Sequence, residues 1–271
     1  MTKFLTASFL LAASTTVSCT HSKPIDSPSS TSSSSRVKSI LLVHGAFADG
    51  SSWRRVIPLL EARGYHVVAV QEPLSSLADD VAATRRAIDL QTGPVLLVGH
   101  SWGGAVITEA GNHDKVVGLV YVSAFAPDGG ESVDDLGKGE PPPPWAKDLA
   151  VDSGGFGWLP ATVVATYFAP DLPASESAVV ASVQHPIQMK AFADKVTTAA
   201  WRSKRTWYVR TEEDQMIDPR AQATMAARAG AKVTNVKGSH VSILSHPDEV
   251  AAVILDAAIA ADAVQPAGGS R

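Results

Sequence analysis

Residues 95–104 read Val95-Leu96-Leu97-Val98-Gly99-His100-Ser101-Trp102-Gly103-Gly104. Four apolar residues without polar alternation suit a strand buried on both faces of a parallel sheet. The small residues that follow, over 101–112, suit a helix packed closely on such a sheet. Between them stands Gly-x-Ser-x-Gly. With Gly and Ser each near ~7% of residues, that pentapeptide arises by chance in roughly one chain in ten of this length. Its place between strand and helix is the informative part. A serine on so sharp a turn has its hydroxyl lifted to the C-terminal edge of the sheet. Glycines on either side let strand and helix approach each other. The helix then aims its first amides and its dipole at the serine. Ser101 is therefore a candidate nucleophile; the alternative is a glycine-rich turn with no chemistry.

The rest of the chain falls into register around this stretch. Strands are expected at Val37–Val43, His66–Val70, Val95–Val98, Val116–Val122, Thr206–Val209 and Lys232–Val236. Helical stripes separate them. Trp53, Val56, Ile57 and Leu60 form one stripe, and Leu77, Val81, Thr84 and Ile88 another. Two late helices are expected at 219–229 and 247–262, opened by Asp218-Pro219 and His246-Pro247. The pattern predicts an α/β fold with a central, mostly parallel six-stranded sheet and helices on both faces. The rhythm breaks over 125–199, with its Pro141–Pro144 run and Gly154-Gly155-Phe156-Gly157-Trp158. This segment is expected to be a cap inserted over the C-terminal edge, where α/β proteins bind ligands. The core is then 36–124 and 200–263, with a disordered tail at 264–271. Trp145, Phe156, Trp158, Tyr167, Phe168 and Phe192 would roof a pocket, or simply form the cap's own small core.

The 271 residues carry a net charge of −4, with 45% hydrophobic and 18% charged residues. No long run of like charge suggests nucleic acid or a polybasic membrane contact, which leaves a small molecule as the natural partner. At the N-terminus, Met1-Thr2-Lys3 and the apolar Phe4–Ala13 have the form of a signal peptide, assigned to residues 1–18. Cys19 follows as the sole cysteine, so no intramolecular disulfide can form. A cysteine at that place resembles a bacterial lipidation site, although Thr16-Val17-Ser18 fits the pattern only in part. Soluble export, or no export with an incidental cysteine, are the alternatives. Residues 19–35 are Ser/Pro-rich and read as a flexible tether. The expectation is an exported protein, periplasmic or held in the cell envelope by a lipid.

A nucleophilic serine needs a base, an acid to orient the base, and donors for the developing oxyanion. His44-Gly45-Ala46-Phe47 follows the first strand and would lie beside Ser101. The amides of Ala46 and Trp102 are the candidate oxyanion donors, and His44 is expected to hold that loop by hydrogen bonds. Of eight histidines, His240 lies after the last strand and ahead of the final helix, as the order Ser…Asp…His requires. His246 is its rival but precedes a proline at a helix start. His100 is expected to point away from the nucleophile's side. The acid should follow Thr206–Val209, where Glu212, Glu213, Asp214 and Asp218 compete. Asp218 precedes Pro219 and looks like a helix cap. Asp214 has the reach to meet the imidazole, with Glu213 next.

In VHGAFADGSSW (43–53), VGHSWGG (98–104), TEED-x-x-x-x-P (211–219) and GSH (238–240), the chain resembles the α/β-hydrolase superfamily. It is most similar to the compact branch that holds plant methyl-ester esterases, hydroxynitrile lyases and related bacterial esterases. The resemblance spans roughly residues 37–262. It implies six core parallel strands, an inserted helical cap, no metal and no organic cofactor. It also implies that small-molecule esters are hydrolysed through an acyl-enzyme on Ser101, with His240 and Asp214 completing the triad. A lactonase or amidase would use the same residues. A hydroxynitrile lyase and a non-catalytic binding protein are the remaining readings. The lyases of that branch carry a Thr where this chain has Gly45 and a Lys where it has Val241, which disfavours the lyase.

Overall fold

The computed structural model describes residues 37–262. The expected signal segment, Cys19, the tether and the tail lie outside the described residues. The first half of the chain runs β1 (Ser39–Val43), α1 (Ile57–Glu61), β2 (His66–Val70), α2 (Leu77–Asp89), β3 (Val95–His100), α3 (Trp102–Ala110) and β4 (Val116–Val122). The insertion holds α4 (Val133–Leu136), β5 (Ala150–Val151), β6 (Phe156–Trp158), α5 (Ala161–Val163), α6 (Ala174–Ser182) and β7 (Ile187–Gln188). The chain then returns through β8 (Arg205–Thr211), α7 (Pro219–Arg228), β9 (Lys232–Val236), α8 (Ser242–Ser245) and α9 (Pro247–Asp262).

Six strands form one parallel sheet in the order β2-β1-β3-β4-β8-β9. They match the six expected strands, with ends shifted by no more than a few residues. Every residue of β1 and β3 is buried, which requires cover on both faces. The helices provide it: α2 packs with α3, and α1 with α9. Several of the helix starts are capped by a side chain. Ser76 caps α2 by accepting from Asp79 N–H; Asp218 caps α7 by accepting from Arg220 N–H, the cap that Asp218-Pro219 suggested.

Two regions differ from the sequence expectation. The stripe from Trp53 to Leu60 is not one helix. A 3-10 turn covers Gly50–Trp53, and α1 starts afresh at Ile57 with Pro58 in its first turn. Proline has no N–H to continue an earlier helix, but it is tolerated where the N–H would be unpaired anyway. The cap is not purely helical either. Beside α4, α5, α6 and a π-helical turn at Val164–Phe168 lies an antiparallel sheet in the order β5-β6-β7. Strands of two or three residues are too short to leave a period-2 signature.

The four described non-glycine residues with positive φ are Phe47, Leu74, Ser101 and Ser123. They follow β1, β2, β3 and β4, one after each strand, so the backbone strain collects at one edge of the sheet. Glycines make the tightest of these turns feasible. A Cβ on Gly103 would fall 2.6 Å from the carbonyl oxygens of both Val43 and His44, and one on Gly99 would fall 2.5 Å from Gly103 O. Both neighbours are backbone and cannot rotate away. Gly103→Ala should therefore lower unfolding free energy by about 1–3 kcal/mol, the usual range for overpacking. Urea denaturation followed by circular dichroism measures this; an unchanged midpoint would contradict the packing described.

Candidate active site

The turn between β3 and α3 fixes Ser101 at φ 53°, ψ −119°. Neighbouring backbone holds it there. Ser101 N–H donates to Val122 O at 3.2 Å, and Ser101 O accepts from Gly104 N at 3.0 Å and Phe125 N at 3.1 Å. The segment His44-Gly45-Ala46 lies directly against this turn: a Cβ on Gly45 would meet Ser101 Cβ at 2.8 Å. Among the described residues, neither Ala46 N–H nor Trp102 N–H donates to another protein group. Both are thus available to a ligand oxygen next to Ser101.

His44 is buried and does hold the loop. Its Nε2 accepts from Glu72 N–H at 3.1 Å, which leaves Nδ1 to donate to Gly45 O at 2.9 Å. Burial pushes this imidazole down to about 4, so it is neutral at physiological pH.

His240 follows β9. Its Nδ1 donates to Asp214 Oδ2 at 2.8 Å, and both residues are buried. Asp214 also receives Gln222 Nε2 at 2.8 Å on Oδ2, and the Met216 and Ile217 amides at 2.8 and 3.0 Å on Oδ1. Thr211 Oγ1 lies 3.0 Å from Oδ2. Burial by itself raises the Asp214 carboxyl. Its attraction to His240 and these donors outweigh that and hold it below the usual carboxylate range. The carboxylate is thus ionised and pinned in one orientation. Ser101 Oγ is not hydrogen-bonded to His240 Nε2 among the described residues; in ligand-free sites such contacts commonly tighten only with substrate.

The rival residues stand elsewhere. Glu213 is exposed, with Lys237 Nζ 4.0 Å away, and Asp218 serves as the α7 cap. His246 Nδ1 pairs with Glu249 Oε1 at 3.0 Å. His100 corrects the expectation that it points away. Its ring lies 4.8 Å from that of His240, and its Nε2 donates to His240 O at 2.8 Å. It is a buried strut under the His240 backbone, and burial pushes it down to about 3, which keeps it neutral. The cap aromatics divide. Phe168 packs on the His240 ring at 5.2 Å and Phe192 meets Trp102 edge-on at 5.3 Å. Trp158 is 38% exposed and roofs nothing. A cleft of about 390 Å³, open mouth included, is lined by Phe47, His100, Phe168, Val180, Val241 and Leu244 among others. Asp49, Ser51, Ser52 and Arg54 also line it, its exposed wall is mostly apolar, and neither Ser101 nor His240 is among its lining residues.

A strained serine after β3, a histidine after β9 and a buried carboxylate after β8 occupy one edge of this sheet. Residues 40–253 match the family model described as "Alpha/beta hydrolase family". The chain belongs to that family. Over 101 residues the hydrolase is 41% identical to the pyrethroid hydrolase of Sphingobium wenxiniae, a stretch covering 32% of this chain and 36% of that relative. The alpha/beta hydrolase nvfD of Aspergillus novofumigatus is 28% identical over 81% of this chain and 96% of its own. Methylesterase 2 of Arabidopsis thaliana is 34% identical over 34% of this chain and 41% of its own. Among solved structures, a pyrethroid hydrolase from Sphingobium faniae has a TM-score of 0.71 at 23% identity, covering 82% of this chain and 98% of that one. Polyneuridine aldehyde esterase has a TM-score of 0.71 at 22% identity, covering 82% of this chain and 99% of its own. At those identities the structures speak for the fold.

Sequence reasoning missed the support around His240 in the hydrolase. Asp171, from the cap, accepts from Ser239 N–H at 2.9 Å and from Ser239 Oγ at 2.5 Å. Nothing in the sequence pairs those two. Gln222 is fully buried, with Nε2 on Asp214 and Oε1 accepting from Thr211 N–H at 3.1 Å. A polar residue on the inner face of α7, one turn past its cap, was the available signal. Gln222→Met keeps the volume and removes these bonds together with that from Nε2 to Ile217 O at 3.0 Å, leaving the Thr211 N–H buried and unpaired. Stability should fall by about 1–3 kcal/mol. If Asp214 serves catalysis, kcat should fall with it while KM holds. Chemical denaturation and steady-state kinetics check the two parts separately.

Proposed function

We propose that this hydrolase cleaves carboxylic esters of small molecules through an acyl-enzyme on Ser101. The observation that carries the reading is the buried His240–Asp214 hydrogen bond at the same sheet edge as a serine held in a strained turn. His240 Nε2 takes the Ser101 proton as Oγ attacks the ester carbonyl. The oxyanion forms beside the Ala46 and Trp102 amides. Its collapse breaks the ester C–O bond, and His240 returns the proton to the departing alcohol. Water then enters, gives its proton to His240 and attacks the acyl group; Ser101 leaves with that proton and the carboxylic acid is released. Asp214 fixes the ring so that Nε2 is the basic nitrogen and stabilises the imidazolium when it forms. The relatives' names, a pyrethroid hydrolase and methylesterases, support ester bonds as the target class. A lactone or amide would meet the same groups.

Cyanohydrin cleavage fits less well. It needs a hydroxyl on the loop after β1 and a cation after the base. Gly45 supplies no side chain, and a Cβ there would already crowd Ser101. Val241 is apolar and faces the cleft.

Ser101→Ala should abolish hydrolysis of p-nitrophenyl acetate with the fold intact; retention of more than a few per cent of kcat would sink the serine mechanism. Asp214→Asn should cost up to about 10⁴ in kcat, and Glu213→Gln little. If the second is the worse, the acid is misassigned. Mandelonitrile run beside the ester should release no cyanide above background; efficient release with negligible ester turnover would reverse the assignment.

A further inference from the structure

A second buried carboxylate lies behind the loops that carry the oxyanion donors, and the mechanism above does not use it. Asp80 sits in the first turn of α2 and is fully buried. Its Oδ2 accepts from the Trp102 indole Nε1 at 2.8 Å, and its Oδ1 from Leu74 N–H at 2.8 Å. Both partners matter to the site. Trp102 opens α3, and its amide is one of the two free donors beside Ser101. Leu74 has a positive φ of 54°, and its carbonyl accepts from Gln188 N–H in the cap at 2.8 Å. Asp80 therefore joins the nucleophile turn, the loop after β2 and the cap at one point.

Next to it is Glu72, also buried. Its Oε1 lies 3.5 Å from Thr84 Oγ1, its Oε2 has no hydrogen-bond partner, and its N–H reaches His44. Two N–H donors face Asp80, whereas one distant hydroxyl faces Glu72, so a single negative charge shared by the pair belongs on Asp80. Burial and the nearness of Asp80 push Glu72 well above the usual carboxylate range. Burial also raises Asp80, to about 6, against the opposing pull of Trp102 and Leu74. The other titratable groups around the pair are His44 after β1, whose Nδ1 lies 4.0 Å from Glu72 Oε2, and Asp79 on the same helix, itself under the pull of Arg86 and Lys190; Asp194 of the cap accepts from Leu77 N–H at 3.0 Å. A raised carboxylate destabilises the fold at neutral pH, because the unfolded chain ionises it more easily. A tie needed for stability alone gains nothing from a charge there.

We propose that Asp80 is a positioning residue for the Ser101 reaction, holding the Trp102 indole and the Leu74 amide so that the Trp102 backbone N–H faces the developing oxyanion. The inference rests on the serine mechanism proposed above. Protonating Asp80 replaces an acceptor with an O–H aimed at a donor, so either Trp102 or Leu74 loses its partner and the amide drifts. Two deprotonations, of His240 and of Asp80, must then precede turnover. The acid limb of log kcat/KM should approach a slope of 2 rather than 1.

The test measures kcat, KM and the pH profile for p-nitrophenyl acetate on wild type, Asp80→Asn, Trp102→Phe and the double variant. Asp80→Asn should lower kcat about 10-fold, less than the 10²–10³ for losing an oxyanion donor outright. KM should stay within about twofold, since ground-state binding is untouched. The acid slope should fall to 1. Trp102→Phe keeps the backbone amide but removes one donor from Asp80, so the ionisation of Asp80 should move to higher pH. In the Trp102→Phe background Asp80→Asn should cost less than in wild type. Asp80→Asn with wild-type kcat and slope, whatever its melting temperature, would overturn the proposal, as would fully additive effects. Should Asp80→Asn fail to fold, the Trp102→Phe profile decides alone: an unmoved acid limb rejects the idea. Turnover by Ser101→Ala would instead remove the serine mechanism itself. An inactive Ser101→Ala beside an unaffected Asp80→Asn would remove only this inference.

Discussion

The whole site hangs on one strained backbone unit. Ser101 takes a left-handed φ that costs a non-glycine residue free energy, and it persists only because surrounding structure over-determines it. Its N–H is held from β4, and its carbonyl by both α3 and the segment after β4. The glycines at 99 and 103 let backbone press on backbone around it. The serine side chain thus stands clear of the sheet while everything beneath it is close-packed. Without that unit, the loop after β1 would have nothing to lie against, and the first amides of α3 would point at solvent.

Three histidines occupy this small region, and their surroundings give them different work. His44 and His100 are buried, each spends a ring nitrogen on backbone, and each is neutral. They fix the loops that meet at Ser101. Of the three, only His240 has a carboxylate at hydrogen-bond distance from a ring nitrogen, a partner able to stabilise a positive ring; Glu72 stays 4.0 Å from His44 Nδ1. The contrast is one of partners, not of burial. It separates two struts from the proposed proton carrier among side chains that are chemically the same.

Much of this was legible in the chain. The central strands announce themselves because residues buried on both faces must be apolar throughout, as in Val95–Val98. Ser101, Asp214 and His240 follow strand ends, where loops at a parallel sheet's C-terminal edge converge. What was not legible has physical reasons. The cap strands are too short for a period. Pro58 splits what looks like one helix, because a missing N–H matters more than an apolar stripe. The contact between His100 and His240 spans 140 residues, and no local pattern encodes it. Asp80 reads as an ordinary acidic residue near a helix start, a place where surface helices also carry acids. Only the packing shows that solvent never reaches it.

The wide sequence separation of these parts bears on how the protein comes to be active. The His44 loop, the Ser101 turn, the Asp214 loop and His240 belong to strands β1, β3, β8 and β9, and β9 pairs only with β8. A parallel sheet built from such distant segments closes its long loops before their contacts reward it, which makes folding slow. The turn at Ser101 cannot take its strained form until the Val122 carbonyl and the Phe125 N–H have arrived to hold it. Refolding chains should therefore regain helix and compactness well before turnover, and an incomplete chain, as on a ribosome, holds no partly working enzyme. Catalysis in this protein is a report that the last strand is home.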